Sequence, residues 1–274
     1  MIRTNIKKRI LFLFLGIIAV AFLLSHGAFR KANSFAHAFQ TSERVSESGS
    51  IEGGNAVWWV DSGGYMDISS GEGFTIQGDL PEISPWRVRY SESNPVDTDG
   101  GVHPQNIFRL ILKSMWNDFA EEAYFKIHKD NLSSSPNRNE SNGIVLFGRY
   151  RDADNLYYVG LRVDGQAVIK KKKNGMYSVL AEMPVIADTL PYDRNTNPDV
   201  LPKNTWIGLK TEISTEKNDE VRIKLWTDIG KTGKWKLVAE VVDKNDIING
   251  PAYVGIRTDF MDVSFTDFKI TEKQ

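Results

Sequence analysis

Cysteine is absent from the 274 residues, which excludes disulfides, thiol nucleophiles and thiolate-ligated zinc. Histidine is scarce as well, with four in the chain, and neither His103 nor His128 has a partner at metal-ligand spacing, so no zinc motif emerges. No Gly-x-Ser-x-Gly elbow occurs. The glycine-rich stretches "GGNAVW" and "SGGYMD" lack the lysine and the strand-to-helix setting of a phosphate loop. There is no EF-hand loop, and no internal repeat at the spacing of propellers or solenoids. Beyond the N-terminus the chain has neither a long apolar run nor a clear helical period.

The one long apolar run is N-terminal. Arg3, Lys7, Lys8 and Arg9 precede an uncharged stretch from Ile10 to Leu24, the pattern of an export signal. The stretch is short for a full membrane span of roughly 20 residues, so it reads as a secretory peptide or, extended through Ala28, as a signal anchor. Ser25 and Gly27 permit cleavage before Ala28, and Ala36-His37-Ala38 is a more distant second site. Residues 1–27 are therefore assigned to export, which places the remainder outside the cytoplasm, secreted or tethered. Any membrane contact is expected only through this segment.

Removing residues 1–27 takes four cations and no carboxylate from a chain of net charge −1, leaving −5. A mildly acidic remainder argues against a nucleic-acid partner, which calls for a basic domain. Without disulfides the fold must rest on its core, and about 220 folded residues suffice to build one. Residues 28–55, with "TSERVSESGSIEGGN", show almost no apolar periodicity and read as a flexible linker.

From residue 56 to 274 nearly every segment is short, β-branched or aromatic, and bounded by turn residues. Examples are "AVWWV", "WRVRY", "NIFRLILKSMW", "EAYFKIH", "NGIVLFGRY", "LYYVGLRV", "TWIGLKTEI" and "VSFTDFKI". About fourteen such strands predict one all-β domain, an antiparallel sandwich in which each sheet buries one face. Asp164-Gly165 and Asn174-Gly175 are two-residue hairpin signals. With the polar turn at residues 151–155, they predict a four-stranded meander from Gly143 to Ala181. Two long loops, residues 129–142 and 182–204, suggest functional rims, and Asn131-Leu132-Ser133 and Asn139-Glu140-Ser141 are formal glycosylation sequons.

Strand alternation sorts the side chains into faces. A two-residue turn at Asp164-Gly165 pairs Arg162 with Ala167. It sets Tyr158, Arg162, Ile169 and Lys171 on an outer face and Val159, Leu161, Val163 and Val168 on the core. Carried into the preceding strand, this register adds Ile144, Leu146 and Tyr150 to the outer face and Val145 and Phe147 to the core. Arg149, Lys170 and Lys172 then end core-facing rows, where long stems reach water. The same alternation turns Arg109, Tyr124, Lys126, His128, Tyr253 and Arg257 outward. If these strands share a sheet, its outer face carries cations and phenols, groups that stack on sugars and bind carboxylates or sulfates.

The central "NGIVLFGRYRDADNLYYVGLRVDG", the "TWIGLKTEI" and "VRIKLWTD" pair, and the closing "YVGIRTDFMDVSFTDFKI" resemble the concanavalin A-like lectin and glucanase superfamily, with its laminin-G-like jelly rolls. The resemblance spans roughly Val57 to Ile270. A Tyr-x-Gly-Ile strand leading to a final Phe-x-Asp-Phe strand is matched by Tyr253 to Ile256 and Phe265 to Phe268. It implies an antiparallel jelly roll, whose members are binding modules, glycoside hydrolases or polysaccharide lyases. The Glu-x-Asp-x-x-Glu run of glucanase-like hydrolases is missing, since "MDISSGE" and "DFMDVSFTD" both miss the spacing.

The export signal, the cationic outer face and the resemblance together point to an exported lectin-like domain contacting glycans, anionic ones included. Its expected ligand residues are Arg109, Tyr124, Lys126, His128, Tyr150, Tyr158, Arg162, Lys171 and Arg257. The alternative is a lyase cleaving a uronic-acid polysaccharide by β-elimination, with His128, Tyr124 and Arg149 as its catalytic candidates. The lyase-type Gln-Ile-His and Arg-Ser/Thr-Glu-Leu-Arg runs are absent. A further alternative is a structural or adhesion domain that binds protein, expected if the cations prove to be paired internally. Calcium is a possible cofactor of such folds, with Asp67, Asp79, Asp262 and Asp267 as candidates by residue type alone.

Overall fold

Alternating apolar residues along short segments do produce strands, and these form two sheets. The computed structural model describes residues 33–186 and 190–273; the N-terminal apolar stretch expected to direct export lies outside them. Sheet I has nine strands: β1 (Ser34–His37), β2 (Glu43–Ser46), β4 (Tyr65–Ser69), β5 (Glu72–Phe74), β7 (Phe119–Asp130), β12 (Trp206–Thr215), β13 (Val221–Ile229), β14 (Lys236–Asp243) and β16 (Met261–Glu272). Sheet II has seven: β3 (Trp58–Ser62), β6 (Ile107–Trp116), β8 (Gly143–Asp152), β9 (Asn155–Arg162), β10 (Gln166–Lys173), β11 (Met176–Pro184) and β15 (Ala252–Asp259). The order in sheet I is β14-β13-β12-β7-β16-β5-β4-β2, with β1 also beside β16, and in sheet II it is β11-β10-β9-β8-β15-β6-β3. The ladders are antiparallel, so the chain is an all-β, jelly-roll sandwich.

The core lies between the sheets. Sheet II contributes Phe108, Leu110, Ile144, Leu146, Val159 and Ile256, and sheet I contributes Phe119, Phe125, Ile127, Leu209, Leu225 and Phe265. Each such buried side chain contributes about 1.5–3 kcal/mol through loss of apolar surface to water. Gly255 has a packing reason: a Cβ there would lie 2.1 Å from the Leu110 carbonyl oxygen, so only glycine lets β15 sit flat against β6.

Residues 34–46 correct the linker assignment. β1 pairs with β16 and β2 with β4, and Phe39 and Val45 are buried in the core. Phe39 stacks 5.9 Å from Trp58 and meets Phe265 edge-on at 5.4 Å. The apolar residues here are few and widely spaced among serines and glutamates, so no period shows, yet Phe35 and Phe39 pack among aromatic rings and Val45 is buried in the core.

The "WRVRY" segment is also different from expectation. It forms the helix α1 (Pro85–Ser93), with proline in the first turn, where fixed φ favours helix. Tyr90 is its one buried residue. The Tyr90 hydroxyl donates to Glu47 and accepts from the Gly63 amide, so tertiary contacts decide the conformation.

The meander β8-β9-β10-β11 is present, and Asn174 and Gly175, at φ 49° and 79°, make the expected two-residue turn between Lys173 and Met176. The Asp164-Gly165 turn is one residue longer than expected. Gly165 alone has positive φ, at 83°, and its amide donates to the Arg162 carbonyl, the geometry of a three-residue loop closed by a left-handed glycine. Leu161, not Arg162, therefore pairs with Ala167. A slip of one residue exchanges the faces of a strand. Ile169 and Lys171 accordingly face between the sheets, while Val168 and Lys170 share the outer face with Tyr158. In β8 a separate irregularity between Gly148 and Asp152, with Arg149 at φ 50°, turns Ile144 and Leu146 inward and Val145 and Phe147 outward.

Candidate functional site

Corrected in this way, the register brings cations and phenols together on the outer face of sheet II. One row across the sheet runs Val168, Gly160, Val145, Arg257, Arg109, and the next runs Val179, Lys170, Tyr158, Phe147, Gly255, Ile111, Trp59. Phe147, Tyr150 and Tyr158 pack with Ile111 as a second apolar cluster on this face, with Trp59 and Tyr253 at its margin. The aromatic rings thus form a floor into which the charged groups are set.

Two arginines are held in place by carboxylates. Arg109 Nε lies 2.7 Å from Asp61 and its guanidinium 6.0 Å from the Tyr150 ring. Arg257 Nε donates to Asp259 at 2.7 Å, its Nη1 reaches the Tyr158 hydroxyl at 3.5 Å, and the guanidinium stands 5.8 Å from the Tyr158 ring. Burial opposes the charge on Arg257, but Asp259 and the Tyr158 hydroxyl outweigh it and hold the pKa above its ordinary value. Burial pushes the Tyr150 phenol up to about 12 and raises that of Tyr158. Both therefore act at neutral pH as uncharged hydroxyls, able to donate and accept. Tyr177 of β11 extends the face outward, stacked 6.2 Å from Tyr158.

Four of the expected ligand residues, Arg109, Tyr150, Tyr158 and Arg257, meet on this face, and Arg162 stands at its end. Arg162 is bound to Asp164 and Glu182 and donates to the Glu140 carbonyl. Three others lie on the opposite side of the molecule, because β7 belongs to sheet I. There the Tyr124 hydroxyl donates to Asp228 at 2.8 Å, Lys126 sits 4.0 Å over Trp206 and 3.7 Å from Glu72, and His128 Nε2 pairs with Ser264 Oγ at 3.0 Å. The expectation of one shared face thus fails for these three.

Lys171 and Arg149 serve the scaffold. Lys171 lies between the sheets 2.9 Å from Asp243, which also accepts from Tyr157. Fully buried Arg149 bonds Asp118 at 3.0 Å and Thr215 at 2.7 Å. Together with Lys173 and Arg151 they reach successive carbonyls of the β14–β15 connection: Lys171 to Asn245, Lys173 to Asp246 and Ile247, Arg149 to Ile248, and Arg151 to Asn249. Much of the "GRYR…KKKK" cation pattern is explained here, since a long polar loop needs donors for its carbonyls. The catalytic trio His128, Tyr124 and Arg149 is correspondingly not assembled.

The calcium candidates are also dispersed. Asp67 is 2.6 Å from Arg44, Asp79 is 2.9 Å from His103, and Asp267 is 2.7 Å from Lys231. Asp262 accepts from the Gly78 amide, Gln105 and Asn131. Among the described residues no group of three or more His, Cys, Asp or Glu is arranged to hold a metal ion, so these aspartates do not form a joint ligand set.

Asp61, Asp259, Lys170 and Tyr177 belong to the face but were not expected there. Asp259 had a signal, lying two residues after Arg257 and so on the same side of the strand. Asp61 sits at the register shift between Val60 and Ser62, which alternation does not reveal. Lys170 and Tyr177 were hidden by the one-residue slip.

No family model matches this chain, and no curated protein matches it. Among solved structures it is similar to the carbohydrate binding module CBM66 from Bacillus subtilis, at 19% identity over 78% of this chain and 91% of that one, TM-score 0.41. It is similar to the Ca2+/Man2-bound VIP36 exoplasmic/lumenal domain, at 12% identity over 84% and 88%, TM-score 0.44. A third is a mutant of the GH43 protein BlXynB from Bacillus licheniformis, at 10% identity over 87% of this chain and 39% of that one, TM-score 0.45. The sandwich itself is established by the strand order above.

Proposed function

We propose that the protein is an exported, lectin-like sandwich that binds carbohydrate on the outer face of sheet II. The observation that carries this reading is the gathering of Arg109, Tyr150, Arg257 and Tyr158 from adjacent strands, with Asp61 and Asp259 fixing the two guanidiniums. Sugars offer hydroxyls to phenols and carboxylates, and apolar C–H faces to rings such as Trp59, Tyr177 and Tyr253. Binding is favoured over β-elimination because both phenols are held neutral by burial, whereas a proton-abstracting tyrosine needs a lowered pKa. The N-terminal apolar segment supports export, with the domain secreted or tethered at the membrane.

A second reading has an observation of its own. Arg109, Arg257 and Arg162 all have carboxylate partners, as expected of a structural or adhesion domain that meets other proteins. Affinity electrophoresis of the full chain in mild detergent against neutral and uronic-acid polysaccharides decides between them. Ultraviolet absorbance of the unsaturated product is followed in parallel. Retarded migration without absorbance change is the expected result; rising absorbance establishes a lyase, and silence in both channels favours the protein-binding reading.

A further inference from the structure

Lys170 differs from every other cation on the outer face of sheet II. It lies opposite Tyr158 on one side and Val179 on the other, and it is half-buried. Arg109 is paired with Asp61, Arg257 with Asp259, Arg162 with Asp164 and Glu182, and Lys172 with Asp154, while Lys113 donates to the Gly53 carbonyl. Among the described residues the Lys170 ammonium has neither an ion pair nor a hydrogen bond, and Asp164, Glu182 and Asp259, whose charges reach it, are each bound to an arginine. Burial, with the positive charge of Arg162 added, lowers the Lys170 pKa. An ammonium that has lost water without gaining a counter-charge is stabilised by an arriving anion.

The surroundings favour a sugar that carries the anion. Tyr177 is opposite Lys172 and therefore on the same face, two residues along from the Val179–Lys170 pair. It is 57% exposed, stacked 6.2 Å from Tyr158 and with Lys172 Nζ 5.1 Å from its ring centre, so a sugar that stacks on it displaces the flexible Lys172 ammonium or meets the exposed part of the ring. Diagonal neighbours on a sheet lie roughly 7–8 Å apart, a span bridged by one pyranose ring with an exocyclic acid group.

We propose that Lys170 anchors an acidic group of the glycan, so that the ligand is a polysaccharide bearing carboxylates or sulfates, with Tyr177 stacking on the sugar ring. This rests on the carbohydrate-binding reading above and narrows it to acidic glycans. Lys170 is then the residue that sets specificity, and the paired arginines and phenols supply contacts common to neutral sugars.

The test uses the full chain in mild detergent with four probes: polygalacturonate, its carboxyl-reduced counterpart, dextran sulfate and dextran. Dissociation constants are compared for the unaltered chain, Lys170→Met, and Lys269→Met, which removes one charge from sheet I. The unaltered chain is expected to prefer an acidic probe over its neutral counterpart by at least ~10-fold. Lys170→Met is expected to erase most of that preference while keeping the neutral affinity and a native near-ultraviolet circular dichroism spectrum, and Lys269→Met is expected to retain it. Preference for polygalacturonate identifies the group as a carboxylate, and preference for dextran sulfate identifies a sulfate. Equal binding of acidic and neutral probes overturns the proposal and leaves carbohydrate binding standing. Preference undiminished in Lys170→Met also overturns it, and no binding of any probe removes the carbohydrate reading itself.

Discussion

Arg149→Met is expected to destabilise the domain by about 3–5 kcal/mol, the cost of stranding one partner of a buried ion pair. Arg149 is fully buried, and its guanidinium bonds Asp118, Thr215 and the Ile248 carbonyl. Asp118 also accepts from the Thr215 amide. The substitution therefore opens both the β7 end of sheet I and the β14–β15 connection. Methionine fills similar space, so the loss reports the charge and its hydrogen bonds. Urea denaturation of Arg149→Met beside Lys173→Met is the measurement. Lys173 makes a partly exposed staple in the same loop, and its removal is expected to cost no more than about 1 kcal/mol. Equal midpoints in the two variants would show that Arg149 is not the keystone of the connection.

Glu121→Met is expected to act in the opposite sense, stabilising the domain by about 1–3 kcal/mol at neutral pH. Glu121 is fully buried on the core side of β7, opposite Thr211 and Ile270, and neither carboxyl oxygen has a hydrogen-bond partner among the described residues. Burial alone raises its pKa well above the ordinary carboxylate range. The folded state then keeps a proton that the unfolded state releases. Stability is fully present below the unfolded value of about 4.3 and falls as pH rises from there toward the folded value. Methionine removes this loss, so the advantage of the variant grows with pH across that window. Denaturation midpoints measured from about pH 4 upward check the sign, and parallel profiles for the two proteins would show that Glu121 finds a partner.

The sandwich was legible because alternation is local and strong: Phe108, Leu110 and Leu112 needed only their spacing to be assigned to the core. Faces were legible where a strand stands alone, as for Arg109 and Arg257. They were misassigned in β10, because its register hangs on a single turn where Gly165 closes a loop one residue longer than an Asp-Gly pair suggests, and in β8, because an irregularity between Gly148 and Asp152 shifts its pairing with β9. Beyond the β8–β11 meander, which strands share a sheet was not legible. Tyr124 and Tyr158 carry the same local pattern, yet β7 and β9 lie in different sheets, a matter of long-range pairing. The roles of Arg149 and Lys171 escaped for a related reason: their acceptors are carbonyls about 70 to 100 residues away in sequence, beyond what periodicity reports.

The two outer faces supply the most direct test of the functional account. Tyr158→Phe with Arg257→Lys changes the sheet II face while keeping ring and charge, and Tyr124→Phe with His128→Ala changes the sheet I face. Dissociation constants for the tightest polysaccharide probe, measured on the full chain and on both double variants, are predicted to weaken at least ~10-fold for the sheet II pair and to stay within about 2-fold for the sheet I pair. Weakening confined to the sheet I pair, with sheet II binding intact, would contradict the account and move the site to the face that carries Tyr124, Lys126 and His128.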